Sequence, residues 1–267
     1  MRNFEYYYEK TKQIKKPIKK RSAVHELVFS EKAGLKIILK YLDKRQNLEN
    51  FDGLMVFIRK FFVFMKKMTG KYPQFDEIYI AENRVLSKLN VKGYNKSGNW
   101  ITLNDFKKIN YWTLFHEMIH IYNVDTYTGF IAEGLADFLS YLFISSSNFA
   151  AAQSQVKGEL AQITSAFSKI KNDYPLYDSM KKDYNKNVDI GADSSQTYAK
   201  SFLFWKMIHD KLGLEPVKEA FRKSLKNKKL NAVNVKNIIK KYTKEPMNYM
   251  KGWIVNGEYQ IFPELKL

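Results

Sequence analysis

Residues 116 to 120 read His-Glu-Met-Ile-His, and no other stretch restricts the chain so tightly. On a helix, positions i and i+4 lie on one face. His116 and His120 can then aim imidazole nitrogens at one ion, while Glu117 lies beside that ion without having to bind it. The H-E-x-x-H pattern thus places two zinc ligands and a general base on a single turn. A chance match on an ordinary amphipathic helix is a poor alternative in a chain with only 4 histidines. A catalytic zinc takes three protein ligands and keeps a position for water. The chain has no cysteine, so the third ligand must be His, Asp or Glu. "FIAEGLADFL", residues 130 to 139, offers Glu133 on a following helix, with Asp137 one turn further along the same face. A metal-bound histidine usually gives its other N–H to a carboxylate, so Asp137 is expected to orient His116. The expected cofactor is one Zn2+ ion held by His116, His120 and Glu133.

The remaining patterns place this turn in an α+β fold: a small N-terminal mixed sheet with helices, then a helical C-terminal half. "AVHELVFS" (23–30) alternates like a strand, and "EKAGLKIILKYLDKRQ" (31–46) reads as a helix. Apolar residues at 54, 57, 58, 61, 62 and 65 predict a helix over 50–70. "FDEIYIAE" (75–82) reads as a strand, and 91–105 as strand, turn, strand with its tip at Ser97-Gly98-Asn99. Helices are expected over 108–124, 129–145, 148–170, 195–213 and 215–227, and "NAVNVKNIIKKYT" follows them. Residues 1–22 form a basic tail. Residues 23–267 form one domain, with the sheet in 23–106 and the helical part in 107–267.

The net charge of +18 raises the question of nucleic acid, but 39 of the 45 basic residues are lysine. Arginine is the residue suited to bidentate phosphate recognition, so no specific nucleic-acid partner is expected. "MVFIRKFFVFM" (55–65) is broken by Arg59 and Lys60 and is too short to span a membrane. The first residues lack the apolar core of a secretory signal, so a cytoplasmic location is expected; a monomer is expected as well.

The stretch from His116 to Asp137 resembles the gluzincin metallopeptidases, which pair H-E-x-x-H with a downstream glutamate ligand. "EGLAD" is similar to the E-G-x-A pattern of aminopeptidase N-like enzymes and to the E-x-x-x-D pattern of thermolysin-like ones. The twelve residues between His120 and Glu133 are similar to the shorter spacing of compact, peptidase MA-like members. The resemblance implies a zincin-like fold, a polypeptide substrate and hydrolysis by a zinc-activated water, with Glu117 moving the proton. It also implies a tyrosine donor for the oxyanion. "TYAKS" supplies Tyr198 in a context similar to Y-x-K-G, with Ser201 in place of the glycine. His209, eleven residues on, is the rival donor, and His25 is expected to be structural. "NWITLND" is expected to be the edge strand that binds extended substrate, with Trp100 and Ile101 near the cleft. The related aminopeptidases carry a G-x-M-x-N segment that captures the substrate amine, and this chain lacks it. An endopeptidase is therefore expected. The alternatives are an aminopeptidase and a gluzincin-fold binding or regulatory protein; the intact Glu117 speaks against the latter.

Overall fold

Burial alternates strictly along His25–Ser30 (β1), as a half-covered strand requires. In the computed structural model β1 is followed by β2 (Lys36–Tyr41), α1 (Leu48–Thr69), β3 (Glu77–Glu82), β4 (Gly93–Asn95) and β5 (Trp100–Leu103). The helical half contains α2 (Tyr111–His120), α3 (Phe130–Ser145), α4 (Ala150–Ser168), α5 (Ser194–Leu212), α6 (Leu214–Asn227), α7 (Ala232–Ile239) and a 3-10 turn (Pro246–Tyr249). The structure describes residues 25–30, 34–42, 48–84, 86, 92–95, 98–122, 130–169, 194–227, 230, 232–251 and 253. The basic tail and the loop 123–129 lie outside them.

The segment 31–46 corrects the sequence reading. Its lysines and leucines suit a helix, yet Lys36–Tyr41 pairs antiparallel with β1 and parallel with β3. Tertiary burial decides the matter: Ile37 and Leu39 point to one face and are fully buried, while Lys36 and Lys40 point to the other. Gly34, at φ +78°, lies just before β2, in backbone that a side chain would strain.

The sheet runs β1-β2-β3-β5-β4. β3 and β5 are parallel, and β4 pairs antiparallel with β5. The edge on this side of the sheet is therefore β4, not the expected Trp100–Asn104. Ile101 and Leu103 give β5 a buried core face, which suits an interior strand. Gly93-Tyr94-Asn95 has no such face and takes the edge. Trp100 turns to the opposite side, stacked on Tyr79 with centroids 4.9 Å apart and Lys40 Nζ over both rings.

An aromatic cluster anchors α2. Phe115 lies 4.9 Å from Phe57 and 4.8 Å from both Phe61 and Phe143, between centroids, and all four are buried. Each such ring contributes roughly 2–3 kcal/mol on burial. The cluster holds the helix one residue before His116. A second contact sets α3 against α5. A Cβ added to Gly134 would lie 2.1 Å from Ser201 Oγ and 2.4 Å from its carbonyl carbon. Only glycine permits this approach. Trp205 Nε1 donates to Ile131 O at 2.7 Å and ties the same two helices together. Among the described residues no helix is long and apolar enough to cross a membrane.

Candidate active site

Helix α2 begins at Asn110, whose side chain accepts the Thr113 N–H at 2.7 Å and so satisfies one of the helix's unpaired donors. Two further side chains brace this end. Gln155 accepts from Tyr111 N and donates to Ile109 O, both at 2.8 Å. Glu159 accepts from Asn110 Nδ2 at 2.7 Å and from Lys92 Nζ at 2.7 and 3.0 Å. Helix α4 therefore clamps both the start of α2 and the residue before β4. Nothing in the sequence pattern points to Glu159, because its partners lie 49 and 67 positions away.

Five residues past the start of α2, His116 comes within reach of three groups. Its Nε2 is 3.1 Å from Glu133 Oε2 and 3.1 Å from His120 Nε2. His120 Nε2 is 3.3 Å from Glu133 Oε2. A tetrahedral zinc bonds nitrogen and oxygen at about 2.0–2.2 Å, which sets neighbouring ligand atoms about 3.3 Å apart. The triangle of His116, His120 and Glu133 fits that spacing, and these three form a group able to hold a metal ion. On its far side, His116 Nδ1 lies 2.8 Å from Asp137 Oδ1. The same oxygen accepts from Trp112 Nε1 at 2.8 Å.

The electrostatics follow from this crowding. Burial opposes a charged His116, but the Asp137 carboxylate and the Glu133 hydrogen bond hold its pKa well above the ordinary imidazole value. Burial likewise opposes protonation of His120, and Glu133 outweighs it in the raising direction. Glu133 is only half-buried; desolvation there pushes its carboxyl upward, yet the two histidines outweigh it and hold the carboxyl below the usual carboxylate range. Burial pushes Glu117 upward against the pull of both histidines, and its backbone partner is the Asn95 N–H. Burial and three nearby carboxylates push the Tyr198 phenol well above its ordinary value, and its side chain hydrogen-bonds Glu133. A phenol so perturbed stays protonated, and remains a hydrogen-bond donor, at neutral pH.

The edge strand closes one wall. Asn95 Nδ2 approaches Glu117 O at 3.4 Å, and a Cβ on Gly93 would lie 2.8 Å from Thr113 Cγ2. The sequence reading gave this strand as the first arm of the strand, turn, strand over 91–105, but it assigned the substrate edge to the second arm. Ile101 is buried in the core and Trp100 faces the far side of the sheet with Tyr79, so neither lies on the edge assigned to them. His209 lies about 16 Å along α5 from Tyr198, with its ring 5.5 Å from Phe138 and Nδ1 3.2 Å from Asp210 Oδ1. His25 rests its ring 5.3 Å from Tyr41.

No protein-family model matches the sequence, and no curated protein matches it. Solved structures do match. A mutant M1 zinc metallopeptidase from Deinococcus radiodurans, bound to the substrate Tyr-Ser-Ala, is 10% identical, with TM-score 0.55 over 88% of this chain and 53% of that one. An aminopeptidase N family protein from Idiomarina loihiensis is 15% identical, with TM-score 0.61 over 90% and 47%. Aminopeptidase A from Legionella pneumophila, in complex with aspartic acid, is 12% identical, with TM-score 0.56 over 86% and 28%. The chain spans about half the length of the first two and less of the third. At these identities the likeness establishes the fold, an α+β zincin-like domain. On that fold the chain carries an H-E-x-x-H…E ligand triad.

Proposed function

We propose that the protein is a zinc-dependent peptidase acting as an endopeptidase. The convergence of His116, His120 and Glu133 on one point, with Glu117 buried beside them, carries the reading. Zinc bound there would supply a Lewis acid for the scissile carbonyl and lower the pKa of water. Glu117 takes the proton of the attacking water and delivers it to the leaving amine nitrogen. Its raised pKa suits a group that must both accept and release a proton. Tyr198 donates its phenolic hydrogen to the oxygen that becomes negative in the tetrahedral transition state. Asp137 accepts the His116 Nδ1 proton and so turns Nε2 toward the metal.

The edge strand supports the endopeptidase mode. In the antiparallel pairing of β4 with β5, Lys92 O accepts from Asn104 N, so the intervening Gly93 and Asn95 turn their backbone groups outward. The Asn95 N–H meets Glu117, and an extended peptide can bond to the Gly93 groups and the Asn95 carbonyl. β4 has no carboxylate to neutralise a substrate ammonium, and it is flanked in sequence by Lys92 and Lys96. Aminopeptidase activity is the second reading, favoured by the aminopeptidases among the structural neighbours. One quenched fluorescent decapeptide, with and without an N-terminal acetyl group, separates the two when compared with a single amino-acid amide. Equal cleavage of both peptides is expected. Efficient cleavage of the amide with loss of the acetylated peptide would overturn the endopeptidase assignment and leave the zinc site standing.

A further inference from the structure

The geometry points to Trp112 as a positioning residue of the metal site. Trp112 lies one turn before His116 on α2, is 5% exposed, and donates its indole N–H to the same Asp137 oxygen that meets His116 Nδ1. An indole N–H can only donate. Facing a shared oxygen, it holds that oxygen as an acceptor and leaves His116 to supply the other proton. His116 is then donor at Nδ1 and has its Nε2 lone pair free for the triangle with His120 and Glu133.

The ring matters as well as the N–H. Its centroid lies 5.6 Å from Phe202 on α5 and 6.2 Å from Tyr141 on α3. The indole is thus wedged between the helix that carries Tyr198 and the helix that carries Glu133 and Asp137. Asp137 has one further rotatable bond beyond its Cβ, and a single hydrogen bond to His116 would leave the pair able to swing together. A second donor on a rigid, packed ring removes that freedom.

This inference rests on the zinc-site reading above, and its test reads zinc affinity rather than turnover. Zinc dissociation constants are measured by chelator competition for wild type, Trp112→Phe, Asp137→Asn and the double variant. The thermal midpoint of each, in excess chelator, reports folding. Trp112→Phe is expected to weaken zinc about tenfold, the low end for groups behind a ligand. In the Asp137→Asn background it is expected to add less than about twofold, since the carboxylate charge that makes the shared oxygen a strong acceptor is already gone. A packing effect alone would instead lower the thermal midpoint by the same amount in both backgrounds. Should Trp112→Phe misfold, a benzothienylalanine at 112 keeps the ring shape and removes only the N–H, and the same tenfold loss is expected. Wild-type zinc affinity in either variant, or equal weakening in both backgrounds, overturns the role of Trp112 alone. A wild-type protein that binds no zinc overturns the functional reading together with it.

Discussion

At the scale of single residues, the site divides, on the proposed reading, between groups that hold an ion and groups that move protons. His116→Ala, His120→Ala and Glu133→Ala are each expected to abolish tight zinc binding, measured by metal content after gel filtration. Glu117→Gln should keep zinc and lose hydrolysis, because its carboxylate has no place in the ligand triangle. Loss of metal from Glu117→Gln would show that the roles are misassigned. Tyr198→Phe should lower kcat roughly 100-fold at similar KM, since the phenol bonds mainly to the transition-state oxygen. Unchanged turnover would remove Tyr198 from the chemistry. The ligand triad was legible in the sequence because helical geometry ties two of its members by spacing alone and the third follows closely. Trp112, Glu159 and the Asn95 backbone were not. Each acts through a contact that local periodicity does not encode, made across 25 or more positions for Trp112 and Glu159.

At the scale of elements, two joints hold α2 against its neighbours. Helix α4 grips α2 and the approach to β4 through Glu159, whose side chain is only 14% exposed. Glu159→Ala leaves Asn110 Nδ2 and Lys92 Nζ without that acceptor, and a loss of roughly 1–3 kcal/mol is expected in urea unfolding. Zinc affinity should stay within about twofold, because the clamp stands a full turn from His116. A stability equal to wild type would reduce the clamp to a surface ion pair. The second joint is Gly93 on Thr113. Gly93→Ala should force β4 away from α2 and raise KM for long peptides roughly tenfold, with zinc retained. Steady-state kinetics on the decapeptide decides it, and an unaltered KM would argue that substrate does not run along β4. The sequence was a weaker guide here. It read β2 as helix because lysine and leucine are good helix formers, and only its neighbours β1 and β3 make Ile37 and Leu39 worth burying in a strand.

At the scale of the whole molecule, the ion is expected to act as a staple. His116 and His120 lie on α2 and Glu133 on α3, so zinc joins two helices that the chain links through residues 121–129. A ligand at 100 times its dissociation constant stabilises by about 2.7 kcal/mol. For a domain of this size, removing the metal should lower Tm by roughly 5–10 °C in differential scanning calorimetry. His120→Ala should show no such difference with or without chelator. An identical Tm for zinc-loaded and stripped wild-type protein would mean that the two helices are already rigid without it.

The contact between Gly134 and Ser201 bears on how this site could wear under mutation or heat. It lies next to Glu133 and one turn from Tyr198, where α3 and α5 touch backbone to side chain with no filling between them. Such a point behaves as a fulcrum. When two levers rock about a shared fulcrum, their far ends travel and the parts beside it hardly move. Strain entering from the distant ends of either helix would thus leave Glu133 and Tyr198 at nearly constant separation. The same place has no tolerance for added bulk. Because the clash at Gly134 extends to the Ser201 carbonyl carbon as well as its side chain, trimming Ser201 to glycine would not make room for an alanine at 134.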